Sequence, residues 1–402
     1  MADPRNRTAA ATAATRLRDG VATETTAVDP DAIDGRRLAS AVVAADAHPA
    51  HDYATMDGFA VATGDPFPVS IRDRTLGPDD APTDHESETA IRIATGAPLP
   101  RGADAVVPRE DARVDGDRLR DPSLDPWTHV VRRGSYCAAD ETVVEAGTVL
   151  SPRDAALLRD LGRERVTVRR PCAVAVLATG DEVAAGVQPD RDSEMVAGLC
   201  RRWGHDATLA GTVADDPGAL RERLTALADA HDVVVTSGGT SVGRLDHTVG
   251  ALADLGTVVY RGVSLRPGRP TACVRLDDHD AVAFALPGKP VAAYVATVAL
   301  LAPFFRGERT HPWREAAADH DLGLPLPDAG LEYAIPVAVD DGTATPVGGP
   351  GSDVNLYDDR YRPGRVSSCP RVLRADGLTF RTAPLVDGEP VEWIPFPTLE
   401  AP

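Results

Sequence analysis

The pattern of apolar and polar positions changes character at Pro171. Beyond it, short runs of β-branched and small apolar residues alternate with longer amphipathic stretches. Residues 172–178, 207–211, 232–236, 257–263 and 281–286 read as strands. Residues 193–203 and 217–230 read as helices, as does a segment opening at Asp246 and running to about Gly256, and a mostly apolar helix follows Pro290. Strands that are apolar along their whole length and separated by helices predict a doubly wound α/β domain. Such a domain gathers its ligands at the carboxyl ends of the strands.

Before Pro171 the pattern is fragmentary. The first twenty residues read as a loose tail, and residues 28–46 carry a helical pattern with a Pro-Asp start. A turn at Asp57-Gly58 leads into a strand. Residues 70–133 are short apolar runs punctuated by Pro, Gly and Asp, which predicts a small β-rich domain. Within it, residues 93–107 read as two strands around a Gly/Pro-rich loop. Residues 134–170 return to helix, with Ser151-Pro-Arg-Asp as an N-terminus and Gly162 as the stop. After His311 the chain turns Pro/Gly/Asp-rich with short strands, so an all-β domain is expected at the end.

A chain of 402 residues is long enough for several domains with proper cores. Its formal charge of −19 argues against a nucleic-acid or anionic-membrane surface. The basic residues are almost all arginine, and Lys289 is the one lysine. A lysine-poor, Asp-rich, Ala-rich and aromatic-poor chain fits a high-salt cytoplasm, where surface carboxylates hold water. Cys137, Cys172, Cys200, Cys273 and Cys369 are scattered without zinc or redox spacing, which predicts reduced thiols. The N-terminus lacks the apolar core of a signal peptide, and the longest apolar run, 291–305, is too short to span a bilayer. A soluble cytoplasmic protein is expected.

Candidate chemistry concentrates in residues 232–248, DVVVTSGGTSVGRLDHT. A buried strand runs into a loop whose Gly238, Gly239 and Gly243 permit positive φ and close approach of an anion, and a helix N-terminus follows. Asp246 at that helix start would repel phosphate unless a cation lies between, which points to a phosphate-and-Mg²⁺ site. Two further strand ends meet the same rim, at residues 179–183 (TGDEV) and 286–290 (LPGKP). Asp181 and Glu182 read as Mg²⁺ ligands or as a helix cap, and Asp215-Asp216-Pro217 reads equally well as a helix N-terminus. Arg266-Pro-Gly-Arg-Pro270 presents two guanidinium groups suited to an oxyanion, or is a solvated turn. Lys289, between a Pro-Gly turn and a helix start, is a candidate point charge for an anion.

Six motifs in order carry a family resemblance: MDGFAV (56–61), TGAPLPRGADAVV (95–107), TGDEV (179–183), SGGTSVGRLD (237–246), LRPGRP (265–270) and LPGKP (286–290). From residue 28 to 397 the chain resembles MoeA, the molybdopterin molybdenumtransferases that also form the E domain of gephyrin, in a haloarchaeal version. The resemblance implies an α/β-plus-β, multidomain fold. Its parts are an interrupted dimerisation domain (1–48 and 134–170), a β-rich insert (49–133), a MogA-like doubly wound domain (171–309) and a C-terminal β-barrel (310–402). It implies a homodimer that inserts molybdate into adenylated molybdopterin with Mg²⁺-dependent release of AMP. A MogA-like or MoaB-type adenylyltransferase would be a partner.

Carried over position by position, the catalytic set is Asp57, Thr95, Glu182, Asp215 and Asp246, with Asp57 and Asp246 holding the metal. The implied substrate-binding set is Thr179, Gly180, Asp181, Ser237, Gly238, Gly239, Ser241, Gly243, Arg266, Pro267, Gly268, Arg269, Gly288, Lys289 and Ser352. The chain departs from the family on the substrate side. Bacterial members often carry Asn at the position of Lys289 and Lys at that of Arg266, Gly262 takes a position that is basic in some relatives, and Glu194 replaces the Asn of the family's RDSN segment. These departures keep open a tungstate-specific insertase and a molybdopterin-binding carrier without turnover. A MogA-like adenylyltransferase shares the α/β domain, but its kind lacks the MDGFAV and TGAPLP segments.

The charge balance makes a first prediction. Self-repulsion among uncompensated carboxylates is relieved by screening, so the melting temperature should climb as KCl goes from dilute to molar. A flat or falling curve in differential scanning fluorimetry would remove the high-salt reading.

Overall fold

The computed structural model describes residues 6–21, 24–238, 245–306, 314–318 and 324–402. The chain divides into two compact units, Met1–Thr26 with Arg169–Pro402, and Ala27–Val168. No described helix is long and apolar enough to cross a membrane.

The first unit opens with helix α1 (Arg7–Val21). After the connection through the other unit come β1 (Ala173–Thr179), α2 (Asp181–Ala184), α3 (Ser193–Arg202), β2 (Asp206–Val213), α4 (Pro217–Ala228) and β3 (Val233–Gly238). Next are α5 (Leu245–Ala253), β4 (Thr257–Arg261), β5 (Ala272–Leu276), β6 (Ala281–Leu286) and α6 (Pro290–Ala296). The sheet order is β2-β1-β3-β6-β5-β4, with the first four strands parallel and the last two antiparallel. Alternate residues of each strand serve opposite faces, as the two-residue side-chain period requires. Val174, Val176, Val233, Val235 and Phe284 pack with α1, α3, α6 and the apolar segment after it. Ala175, Leu177, Val234 and Ala283 pack with Leu220 and Leu224 of α4 and Leu252 of α5. Both faces are covered, which is why these strands are apolar end to end.

The chain of this unit finishes in a closed five-stranded barrel. Its strands are β7 (Arg314–Ala318), β8 (Glu332–Asp340), β9 (Thr343–Pro346), β10 (Gly377–Arg381) and β11 (Pro390–Pro395), in the order β8-β9-β7-β11-β10, with β10 pairing back onto β8. The doubly wound domain and the terminal β-barrel are therefore both present.

The unit Ala27–Val168 holds a six-stranded sheet in which Gly58–Val61 lies between Ala105–Pro108 and Thr89–Ile93. It also holds a separate small core of Ile33, Leu38, Val42, Leu150, Leu158, Val166 and Val168. The helix expected after Ser151 runs over Asp154–Asp160, with Gly162 beyond it at φ +67°.

Three local expectations are corrected. The supposed N-terminal tail is α1, an Ala-rich segment of high helix propensity that buries Ala10 and Ala14. It is anchored by a two-pronged ion pair of Arg7 with Glu332 (2.5 and 2.8 Å) and by the Arg7 guanidinium over the Phe380 ring. Residues 28–46 are not a helix. They form one 3₁₀ turn (Pro30–Ala32), then Gly35 at φ +70°, then a short strand at Val42–Val43. Finally, Ala272–Leu276 is an additional strand, antiparallel to both β6 and the edge strand β4 between which it lies.

All five cysteines are free and four are buried. Burial pushes the Cys172 thiol up to about 12, so it is a packing group rather than a nucleophile.

The aromatic knot behind the sheet yields a stability prediction. Phe304 is fully buried and meets Phe284 and Phe305 edge-on, at centroid distances of 5.4 and 5.1 Å. Phe304→Ala removes these contacts and leaves a cavity, at a cost of about 3–5 kcal/mol. Urea unfolding followed by tryptophan fluorescence reads it; a loss under about 1 kcal/mol would mean the site collapses around the gap.

Candidate functional site

The chemistry of the first unit collects where the four parallel strands end. Thr179 pairs with Gly238 on one side and Val213 on the other, and Ser237 pairs with Leu286. Strand order reverses at β1, with β2 on one flank and β3 on the other, so the crevice beyond β1 and β3 is a topological switch point. The strand ends approach so closely that only glycine fits. A Cβ on Gly238, which stands at φ +121°, would overlap the Thr179 carbonyl, and one on Gly288 would lie 2.5 Å from the Gly238 Cα.

A cleft of about 260 Å³ occupies this crevice. Of the residues expected in the site, Thr179, Ser237, Gly238, Gly288 and Lys289 line it. Lys289 is exposed at the N-cap position of α6. Gly239, Ser241 and Gly243 lie outside the described residues. The backbone of Asp246 belongs to the first turn of α5, as expected.

Beside the cleft, Gly180 (φ +138°) caps α2, and its N–H donates to the Val213 carbonyl. Asp181 is neither the cap of α2 nor part of a metal cluster among the described residues. Its Oδ1 accepts the N–H of Asp215 at 3.0 Å, tying the loop after β1 to the loop after β2. Glu182 stands exposed on α2. The two aspartates before Pro217 divide their work. Asp216 caps α4 through Ala219 N–H at 2.8 Å, while half-buried Asp215 faces inward with its carbonyl 3.3 Å from His247 Nδ1.

The loop of Arg266, Pro267, Gly268 and Arg269 lies outside the lining of this cleft. Arg266 pairs with Asp328 at 3.1 Å, and Arg269 is exposed. Gly268 accepts the Thr271 hydroxyl. Ser352 also lies outside the lining. Its hydroxyl takes the Gly348 N–H and reaches the carbonyls of Gly349 and Val354, which fastens its own turn.

In the other unit, Asp57 and Thr95 are brought together by strand pairing, because Gly58 stands opposite Ile93. Thr95 donates both its N–H (2.7 Å) and its hydroxyl (2.8 Å) to Asp57 Oδ1. These bonds, with the charge of Arg109, hold the Asp57 carboxyl below its usual range. Thr95 therefore orients Asp57 and favours its ionised form, and Asp57 Oδ2 accepts no bond among the described residues.

The reading of the sequence missed Asp192. It occupies the N-cap position of α3, where aspartate ordinarily caps, yet its side chain makes no capping bond. Asp190 Oδ1 accepts the N–H groups of Asp192 and Ser193 instead. Asp192 is 5% exposed, lines the cleft, and accepts the Ser237 hydroxyl at 3.0 Å. Burial, with the nearby charge of Asp190, pushes its carboxyl up to about 6.

A model of the MoeA N-terminal region (domains I and II) matches residues 6–162, and a model of a probable molybdopterin binding domain matches residues 175–307. The chain is 32% identical to the molybdopterin molybdenumtransferase of Nostoc sp. over 308 residues, 70% of this chain and 69% of that protein. It is 31% identical to molybdopterin molybdenumtransferase 2 of Mycobacterium tuberculosis over 298 residues, 68% of this chain and 72% of that protein. The corresponding protein of Haemophilus influenzae is 30% identical over 267 residues, 63% of this chain and 66% of its own length. The crystal structure of a molybdopterin biosynthesis MoeA protein from Pyrococcus horikoshii shares the fold at a TM-score of 0.75 and 24% identity, covering 95% of this chain and 97% of that one. On these matches the chain belongs to the molybdopterin molybdenumtransferase family of molybdenum cofactor biosynthesis.

Proposed function

We propose that this chain inserts molybdate into adenylated molybdopterin and releases AMP, with Mg²⁺, as a cytoplasmic homodimer of four-domain subunits divided as the resemblance implies. The observation that carries the reading is the glycine-walled cleft at the switch point, flanked by Lys289 and by carboxylates on the adjoining loops. Its walls let a ligand approach the backbone, and its rim carries charge of both signs.

Asp57 and Asp246 would hold the Mg²⁺. Asp57 fits a hard cation, since it is an exposed carboxylate oriented by Thr95 and its second oxygen is open among the described residues. The ion would supply charge neutralisation at the phosphoanhydride. The remaining work falls to this chain's own groups. Asp181 holds the Asp215 loop in register, and Lys289 offsets anionic charge at the cleft mouth. Arg266 and Arg269 stand on a separate loop, where they would meet the oxyanion. A MogA-like or MoaB-type adenylyltransferase would supply the adenylated pterin.

Single-turnover AMP release from adenylated molybdopterin should require both Mg²⁺ and molybdate, and Asp57→Ala and Asp246→Ala should each abolish it. If the site draws Asp57 and Thr95 from one subunit and the α/β loops from its partner, mixed Asp57→Ala and Asp246→Ala subunits regain part of the activity. Silent but verified heterodimers would sink the shared site. Release of AMP with tungstate alone would replace molybdate as substrate.

Lys289→Asn should weaken binding of the adenylated pterin or the oxyanion by about 1–2 kcal/mol, the worth of one partly exposed charge-assisted contact. Lys289→Arg should recover part of it, because the sign of the charge survives. Calorimetry at fixed high salt decides, and equal affinities for the unmodified protein and the asparagine variant would make the lysine incidental.

A further inference from the structure

We infer that Asp192 is the specificity group of the cleft, accepting the paired N–H donors of the pterin's 2-amino-4-oxopyrimidine edge. The inference rests on the reading that this cleft takes molybdopterin.

A carboxylate this deeply buried normally collects several donors, because an ionised oxygen without partners in a dry site is costly. Among the described residues Asp192 has one donor, the Ser237 hydroxyl on Oδ2, and its Oδ1 has no hydrogen-bond partner. The Thr179 hydroxyl, also buried and also lining the cleft, is likewise unpartnered among the described residues. Two unpartnered polar groups at the base of one cleft call for a polar ligand edge. Capping does not explain Asp192, since Asp190 performs it. Nor does an ion pair, since no cation is recorded within salt-bridge distance of it among the described residues. Burial raises the carboxyl's pKa, and a ligand that brings N–H donors to it would favour the ionised form.

The chemistry of the missing donor selects the ligand. A carboxylate is acceptor-only, so it favours an edge of two adjacent N–H groups, which a pterin offers at N3 and the 2-amino group. Adenine offers its 6-amino group next to the acceptor N1, which would face the carboxylate unfavourably. Asp192 thus recognises the pterin half of the adenylated substrate, and the nucleotide half lies elsewhere.

The probes are 6-hydroxymethylpterin, 6-hydroxymethyllumazine (2-oxo in place of 2-amino) and AMP, titrated by fluorescence or calorimetry against the full chain. The unmodified protein should prefer the pterin to the lumazine by about tenfold or more, one charge-assisted hydrogen bond. Asp192→Asn should weaken the pterin by a similar factor, erase the preference and leave AMP unchanged. It should also raise the melting temperature near pH 8. The sign follows from the raised folded-state pKa: the penalty of the buried carboxylate is absent below about pH 4, grows toward pH 6 and is complete above it. The charged groups around Asp192 are Asp190 and Arg191 on its own segment and Lys289 across the cleft. All three remain in the variant, so the pH difference reads Asp192 alone. Should the variant fail to fold, the pterin-to-lumazine preference of the unmodified protein still decides. Equal binding of pterin by the protein and the variant, or no preference over lumazine, overturns the role of Asp192. Failure of the unmodified protein to bind either heterocycle overturns the assignment of the cleft itself.

Discussion

The close approach of two backbone segments, at Thr179 and Gly238 and again at Gly238 and Gly288, governs what the rest of the first unit can do. Parallel pairing of β1 with β3 and of β3 with β6 brings three strand ends to one rim in register. With no side chain at Gly238 or Gly288 to hold them apart, the segments touch, and the strand ends meet at the cleft. The apolar strands exist to hold that geometry. Their alternate residues are locked into two separate cores, one on each face, so a shift of any strand end would disturb both.

The same constraint explains how much of the sequence could be read. Strands buried on both faces betray themselves as unbroken apolar runs, and the residues that follow such runs read as the rim. The glycine signals at Gly238 and Gly288 were legible for the same reason, since they mark places where a Cβ has no room. Helix α1 was illegible because it packs through alanine. A face made of Ala10 and Ala14 gives no contrast between large apolar and polar positions, and its anchoring pair, Arg7 with Glu332, spans most of the chain's length. In residues 28–46 the apolar spacing was real but belonged to a core reached by turns, with Gly35 in the left-handed region where a continuous helix cannot pass.

The candidate site divided along similar lines. Asp57 and Thr95 lie 38 residues apart and meet only through the antiparallel pairing of their strands. Motif order suggested both, yet only the geometry separates their roles, with the threonine as the group that orients the carboxylate. Asp181 shows the reverse case. Local reading offered a metal ligand or a cap; Gly180 holds the cap position, and Asp181 Oδ1 fastens the loop that carries Asp215. Ser352 likewise spends its hydroxyl inside its own turn.

Asp192 eluded sequence reading because its signal is a contradiction visible only in three dimensions. An aspartate at a helix start is the expected capping residue, and nothing in the string Asp190-Arg-Asp192 tells which of the two caps. Once Asp190 takes that role, Asp192 is left with a buried carboxyl, one hydroxyl donor and a raised pKa. A fold optimised only for stability would replace it with asparagine or an apolar residue, because a half-satisfied buried carboxylate is worse than either. Local rules are broken most readily where a ligand completes what the protein leaves undone. The strain therefore belongs with the cleft: the glycines let the strand ends meet there, and the unsatisfied carboxylate supplies the demand that a donor-bearing ring would meet.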